Sequence, residues 1–251
     1  MASFKPVTHC IFDFDGLLVD SERLYFKVID GILRELNHSY SVELRRKVLG
    51  CTRADCARII IKHCGLTISP EEFLHRMEAR CARDDVLPTC RLMPGADRLV
   101  RHLVAHRVPI AIGTSSSLES LRLKTRNHAD FMALFSHLVS GSDDPEVKSG
   151  KPAPDIFVVC ARRFSPPVDG ADARARVLVF EDAPNGVQAA LAANMQVVMV
   201  PDPDVITAEQ RAAATLCLDS LEQFQPELFG LPPFSNNQTD AVQKLPPTTT
   251  L

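Results

Sequence analysis

The residues best suited to chemistry in this sequence are carboxylates that come in pairs. Asp13 and Asp15 close an apolar run that begins at Val7, and Gly16 stops it; Glu181 and Asp182 follow Val177 to Phe180 in the same way. Short runs rich in β-formers and ended by turn residues predict buried strands. Desolvation disfavours ionised carboxylates at such strand ends unless something compensates them. A bound cation would do so, whereas the plainer role is to cap a turn; Gly16, Asp20 and Glu22 nearby favour the cation. Two further candidates lie between the pairs. Thr114-Ser115-Ser116-Ser117 follows a predicted strand, Pro109 to Gly113, where hydroxyls and backbone N–H groups could cradle a phosphate or simply cap a helix. Lys151 lies in Gly141 to Pro154, a loop too rich in prolines and charges to be an element, whose Asp143, Asp144 and Glu146 read as solvated.

From Ala96 onward the pattern alternates helix and strand, the mark of a parallel sheet wrapped by helices. Ala96, Leu99, Val100, Leu103 and Val104 form a helical stripe; Pro154 to Phe164 and Val187 to Ala193 read as helices, Gln196 to Val200 as a strand, and Ser165 to Arg176 as an exposed loop. His102 and His106 stand four apart, but with no carboxylate beside them they read as surface residues rather than metal ligands. Open α/β sheets bind ligands at the carboxyl ends of their strands, so such a sheet would gather all these groups into one crevice.

After Asp20 the pattern is helical. Ser21 is placed to cap a helix reaching Leu36, with Leu24, Val28, Ile32 and Leu36 on one stripe. Ser41 to Gly50 and Thr52 to Gly65 follow, and Ser69-Pro70-Glu71-Glu72 has the form of a capping box. The expected fold is α/β: a Rossmann-like, doubly wound parallel sheet built from residues 1–19 and 91–234, an inserted all-helical unit at 20–90, and a polar, proline-containing tail at 235–251 that reads as disordered.

Composition limits the partners. A chain of 251 residues with 45% apolar content can bury a full core. A net charge of -3 makes no electrostatic case for a nucleic-acid polymer or an anionic membrane. No signal peptide or membrane-spanning run is legible, and the eight cysteines are scattered without a C-x-x-C pair. The expectation is a cytoplasmic monomer with reduced thiols.

The segment DFDGLLVDSE, the strand ending in Thr114-Ser115, the Gly-Lys-Pro-x-Pro-Asp segment around Lys151 and the EDAPNG segment from Glu181 resemble, in order, the four motifs of the haloacid dehalogenase superfamily in its phosphatase branch. The helical insertion resembles that superfamily's cap, which opens to admit substrate and closes to exclude water. The resemblance implies hydrolysis of a small-molecule phosphate monoester. Asp13 would be the nucleophile and Asp15 the acid and base, protonated for the first step while Lys151 and Mg²⁺ keep Asp13 ionised. Mg²⁺ would be held by the Asp13 carboxylate, the Asp15 backbone carbonyl and Asp182, with Glu181 behind them. The Thr114 hydroxyl, the Ser115 N–H and Lys151 would hold phosphoryl oxygens, and Arg53 in the cap would meet the rest of the substrate. DDPEV, RFSPP and FQPELFGLP lie outside these motifs and narrow the resemblance to one subfamily. Two alternatives share the catalytic residues: a sugar or polyol phosphatase, and a phosphomutase of the β-phosphoglucomutase kind, in which Arg53 would bind a second phosphate. Such mutases carry histidine where this chain has Tyr25. A catalytically dead phosphate-binding protein would have lost one of Asp13, Asp15, Lys151 or Asp182, and all four are present.

Overall fold

The computed structural model of the chain describes residues 4–48, 51, 53–83 and 86–235. Strand β1 (His9–Phe12) leads into four helices, α1 (Glu22–Glu35), α2 (Val42–Val48), α3 (Arg53–Cys64) and α4 (Pro70–Arg83). The chain then alternates through α5 (Ala96–Ala105), β2 (Ile110–Thr114), α6 (Leu118–Lys124), α7 (Ala129–Met132), β3 (His137–Ser140), α8 (Asp155–Arg162), α9 (Ala171–Arg174) and β4 (Val177–Glu181). It ends with α10 (Pro184–Ala192), β5 (Gln196–Met199), α11 (Ala208–Ala212) and the short β6 (Leu216–Cys217).

All six strands form one parallel sheet in the order β3-β2-β1-β4-β5-β6. The chain winds outward from β1 on one side, returns to its other side and winds outward again. Asp13 and Glu181 therefore end adjacent strands where the winding direction reverses, the crevice in which such sheets bind ligands. Register follows burial on both faces. Cys10, Phe12, Ile112 and Phe180 point into one core layer, while Ile11, Ala111, Val179 and Val197 point into the other.

Helices α1 to α4 pack around a separate core containing Val28, Ile29, Ile32, Leu33, Leu44, Ile60 and Phe73. Two neighbouring stretches join this unit to the sheet: Asp20 N donates to Arg91 O at 2.9 Å and Met93 N to Leu18 O at 2.9 Å. Ser41 and Ser69 accept from Leu44 N and Glu72 N at 3.2 and 3.1 Å, so both start their helices. The expected limits at Gly50 and Thr52 lie outside the described residues. No helix among the described residues is long and apolar enough to cross a membrane.

Several expectations are corrected. His102 is 3% exposed rather than at the surface: its Nε2 lies 2.8 Å from Pro232 O and its ring packs on Phe234. The apolar C-terminal segment covers the face of α5 that local periodicity leaves polar. Asp144 is not solvated; its side chain is 11% exposed and forms a two-pronged ion pair with Arg163. Asp143 accepts from Leu118 N at 2.6 Å, tying the loop to the start of α6. The stretch from Ser165 to Arg176 is mostly exposed as expected, but it is anchored: it carries α9, Val168 is buried and Arg174 Nε donates to Ala193 O at 3.0 Å. Ser235 is described and 236–251, the remainder of the expected tail, lie outside the described residues.

Candidate active site

The carboxyl ends of β1, β2 and β4 place three groups of side chains within reach of one another. Asp13 continues the ladder, its N–H donating to Phe180 O at 2.9 Å, which holds its side chain at the sheet edge beside Glu181. Lys151 crosses from the loop before α8. Its Nζ bonds Asp13 Oδ1, Glu181 Oε1 at 2.6 Å and Gly113 O at 3.2 Å, so all three of its protons are placed. Lys151 is thus a buried counter-ion to Asp13, unlike the acidic residues expected to be solvated in the same loop.

Glu181 is fixed from two sides: its carboxylate pairs with Lys151 and accepts from Asp182 N at 3.1 Å. Two glycines make room. A Cβ at Gly186 would collide with the Glu181 carboxylate, so the first turn of α10 can lie against it only with glycine there. A Cβ at Gly16 would strike Asp182 Oδ2, and the residue's φ of +76° is itself one that side chains disfavour. Carboxylate oxygens of Asp13, Glu181 and Asp182 lie within 4.8 Å of one another. Such an all-oxygen donor set suits a hard divalent cation. Burial pushes Asp13 up to about 7, with Glu181 adding to it and Lys151 opposing. Asp182 is raised too, by burial and by the Asp13 and Glu181 charges. Those shifts are the cost of gathering like charges at a buried strand edge, and a cation would offset it.

Asp15 points elsewhere. It accepts from Lys124 Nζ at 2.5 Å, Ser116 Oγ at 2.6 Å and Ser21 Oγ at 2.5 Å. Burial raises its carboxyl, but the Lys124 charge and these three hydrogen bonds outweigh burial and hold it below the usual range. The expectation was that Asp15 is protonated for the first step with Mg²⁺ present; in this arrangement its neighbours favour the carboxylate. The reason is Lys124, which sequence reasoning missed. A lysine ending a short helix gives no local sign that tertiary packing will leave it wholly buried. Ser21 was assigned to cap α1, yet its hydroxyl serves Asp15 instead and makes no cap bond.

Thr114 is buried with its Oγ1 accepting from Ser116 N at 3.1 Å, while Ser117 caps α6 through Ser120 N. Of the two roles foreseen for the hydroxyl cluster, the helix cap is the one Ser117 fills, while Thr114, Ser115 and Ser116 line the cavity at the strand end. Ser115 is exposed beside it. Above these groups a cavity of about 680 Å³ extends into the helical unit and is lined there by Tyr25, Phe26, Tyr40, Arg45 and Arg53. Arg53 reaches the cavity as expected, with its guanidinium 3.3 Å from Tyr25 Oη. Arg45, unforeseen, bridges α2 to the sheet side through Asp202 at 2.5 Å.

A doubly wound sheet that gathers two carboxylate pairs, a buried lysine and a hydroxyl loop at its ligand edge, beneath a helical insertion, defines an α/β hydrolytic enzyme with a carboxylate centre. The chain belongs to the haloacid dehalogenase-like hydrolase family, which it matches over residues 10–200. It is 46% identical to a probable pseudouridine-5'-phosphatase of Drosophila melanogaster, over 92% of this chain and 97% of the relative. It is 45% identical to (DL)-glycerol-3-phosphatase 2 of Arabidopsis thaliana, over 92% and 94% of the two chains. Among solved structures it resembles a HAD family hydrolase of Deinococcus radiodurans R1 with bound phosphate and sodium, at a TM-score of 0.72 and 25% identity, covering 91% of this chain and 99% of the other.

Proposed function

We propose that this chain is an Mg²⁺-dependent phosphatase that hydrolyses a small phosphate monoester, pseudouridine 5'-phosphate, through an aspartyl-phosphate intermediate. The observation that carries the chemistry is the convergence of Asp13, Lys151 and the Glu181–Asp182 pair on one end of the cavity. Asp13 and Asp182 would hold Mg²⁺ with Glu181 behind them, and the Asp15 backbone carbonyl is the further ligand implied by the family motif. When bound, Mg²⁺ supplies positive charge against the phosphoryl oxygens.

Asp13 attacks phosphorus with its carboxylate, and the alcohol leaves with the ester oxygen. Lys151 stabilises the charge on Asp13 and on the transferring group, and the Thr114 hydroxyl and Ser115 N–H face the remaining oxygens. Asp15 donates a proton to the leaving oxygen and later withdraws one from the water that opens the acyl phosphate. In the arrangement described above it is held as the carboxylate, the form required for the second of these steps. To act as the acid it must take up a proton and turn from Lys124, Ser116 and Ser21 toward the substrate. Residues 20–90 serve as the cap, closing over the leaving group and keeping bulk water out.

The choice of leaving group is supported by the Drosophila relative, by the stretches outside the motifs, and by the aromatic wall of Tyr25, Phe26 and Tyr40, which suits a flat base. Glycerol phosphate is the competing substrate, favoured by the nearly equal identity to the Arabidopsis enzyme and by Arg53 at the cavity. The expected setting is the cytoplasm, with a monomeric chain acting on a metabolite. Values of kcat/KM for pseudouridine 5'-phosphate, uridine 5'-phosphate, glycerol 3-phosphate and a hexose phosphate, each with Mg²⁺ and with EDTA, test the proposal. A preference of more than about tenfold for either of the last two, roughly 1.4 kcal/mol of transition-state binding, rejects the substrate assignment. Unimpaired turnover in EDTA rejects the metal.

A further inference from the structure

Glu22, the first residue of α1, takes no part in the arrangement described above, yet it lines the cavity shared by Asp13, Asp15 and Asp182. Its side chain has open surface, and that surface faces inward: burial within the protein is the largest cause pushing its carboxyl up to about 7. The Asp15 charge adds to this, while Lys124 and Arg45 oppose it. A glutamate in the first turn of a helix is ordinarily favoured as the carboxylate by the free N–H groups there. Here burial outweighs that, and no described residue donates a hydrogen bond to the carboxylate.

Its place beside the reacting groups is fixed from two directions. Ser21, its neighbour in the chain, bonds Asp15 Oδ1 at 2.5 Å, so α1 begins against the carboxylate assigned to the leaving oxygen. A Cβ on Gly16 would stand 3.0 Å from Asp182 Cγ and 3.2 Å from Glu22 Cγ, so these two side chains flank one atom-sized space. Glu22 is nonetheless outside the group of carboxylates whose oxygens lie within 4.8 Å of one another, which consists of Asp13, Glu181 and Asp182. It is therefore an accessible acceptor next to the metal-binding group rather than a member of it. An ionised carboxylate only accepts hydrogen bonds, and one held in a largely buried position is stabilised by any donor that reaches it.

We propose that Glu22 is a specificity-determining residue whose carboxylate accepts hydrogen bonds from hydroxyl groups of the leaving alcohol, so that the site favours neutral, polyhydroxylated leaving groups. This rests on the phosphatase reading above. It applies to a ribose or a glycerol leaving group alike, because each carries hydroxyls a few bonds from the ester oxygen. A propyl group carries none and leaves the carboxylate unpaired, which a site built to meet a hydroxyl penalises. A leaving group that is itself a carboxylate meets a like charge and is rejected for that reason.

The test compares wild type, Glu22→Gln and Glu22→Ala on glycerol 3-phosphate, propyl phosphate and 3-phosphoglycerate, and on uridine 5'-phosphate with its 2',3'-dideoxy counterpart. Each is measured over a titration of Mg²⁺. The readout is the ratio of kcat/KM between esters for one enzyme, which a general loss of activity or of folded protein does not move. Wild type favours the hydroxylated ester over its deoxy or alkyl analogue in at least one of the two pairs. Glu22→Ala lowers that preference about tenfold or more, as loss of a hydrogen bond to a charged acceptor requires. Glu22→Gln, whose amide oxygen still accepts, retains part of the preference, while its discrimination against 3-phosphoglycerate relaxes about tenfold. Hydroxyl preferences unchanged in Glu22→Ala, or discrimination against 3-phosphoglycerate unchanged in Glu22→Gln, overturn the role of Glu22. So does an equal loss on every ester that excess Mg²⁺ restores, which would make Glu22 a metal ligand. All of these outcomes leave the phosphatase reading intact. Absence of turnover of every ester by the wild type overturns that reading and this proposal with it.

Discussion

Lys124 Nζ lies 2.5 Å from Asp15 Oδ1 and 2.9 Å from Ser116 Oγ, with the lysine side chain fully shielded from solvent and that of Asp15 19% exposed. The pair joins the end of α6 to the loop after β1 and sets the direction in which Asp15 points. Replacing Lys124 by Met leaves a carboxylate largely buried with only two serine hydroxyls to oppose its charge. Breaking a buried pair from one side costs about 3 kcal/mol or more. Lys124→Met is therefore expected to melt several degrees lower and to lose far more in kcat than in KM. A variant with wild-type kcat would show that Asp15 needs no such guide.

Asp13 is expected to be indispensable, since its carboxylate is both the proposed nucleophile and part of the acidic group facing Lys151. Asp13→Asn keeps the size of the side chain and its hydrogen-bonding reach. Turnover should fall by roughly three orders of magnitude or more with the fold intact, because amides do not act as nucleophiles toward phosphorus. Circular dichroism and steady-state rates on one preparation check both halves.

Arg45 and Asp202 meet at 2.5 Å between α2 and the segment following β5, and Arg46 adds a bond to Asp204 O at 3.0 Å. These contacts span the helical unit and the sheet and border the cavity. With Arg45 and Asp202 side chains 20% and 39% exposed, solvent screens the pair and its worth is about 1 kcal/mol or less. Arg45→Ala and Asp202→Ala should each raise KM several-fold, and the double variant should show less than the sum of the two effects. Strict additivity would mean that the pair does not act together.

Hydrogen bonds from Arg163 hold the Asp144 carboxyl below its ordinary range, against burial. A carboxyl depressed in the folded state adds stability above its unfolded value, near 3.8, and loses it as pH falls through the lower folded value. Asp144→Asn should therefore lower stability by about 1 kcal/mol at pH 7, a shift of roughly 2–4 °C for a chain of this size. The gap between variant and wild type should narrow steadily below pH 4. A gap independent of pH would remove the ion pair as its cause.

The C-terminal segment divides at Ser235. Phe234 packs on His102 and lies under Arg98, whose guanidinium carbon is 3.9 Å from the ring centre, and Pro232 O meets His102 Nε2. Truncation after Leu231 should cost about 2 kcal/mol from one hydrogen bond and one cation–π contact. Truncation after Ser235 is expected to leave melting temperature and activity unchanged, because residues 236–251 have no apolar periodicity with which to pack. Equal melting temperatures for the two truncations would contradict the docking of Phe234.

The sequence by itself determined the strand ends that carry Asp13, Thr114 and Glu181, the helical character of the insertion, and the order of the motifs. Each of these is written in local terms, as apolar runs stopped by turn residues, helix-starting serines, and carboxylates set where a buried strand must end. Glycines 16 and 186 were visible too, although only their neighbours explain them: Asp182 and Glu181 occupy the space a Cβ would need. What the tertiary structure alone decided depends on groups far apart in the chain. Lys124 and Asp15 are 109 positions apart, and His102 and Pro232 are 130 apart, so neither periodicity nor capping chemistry could foretell that these polar groups would be buried as partners. Asp144 read as solvated because its charge is local, whereas its partner Arg163 arrives from the far end of α8. The hydroxyl of Ser120, buried without a hydrogen-bond partner, follows from the same cause, since a serine within a helix shows its missing partner only after every other chain segment has taken its place.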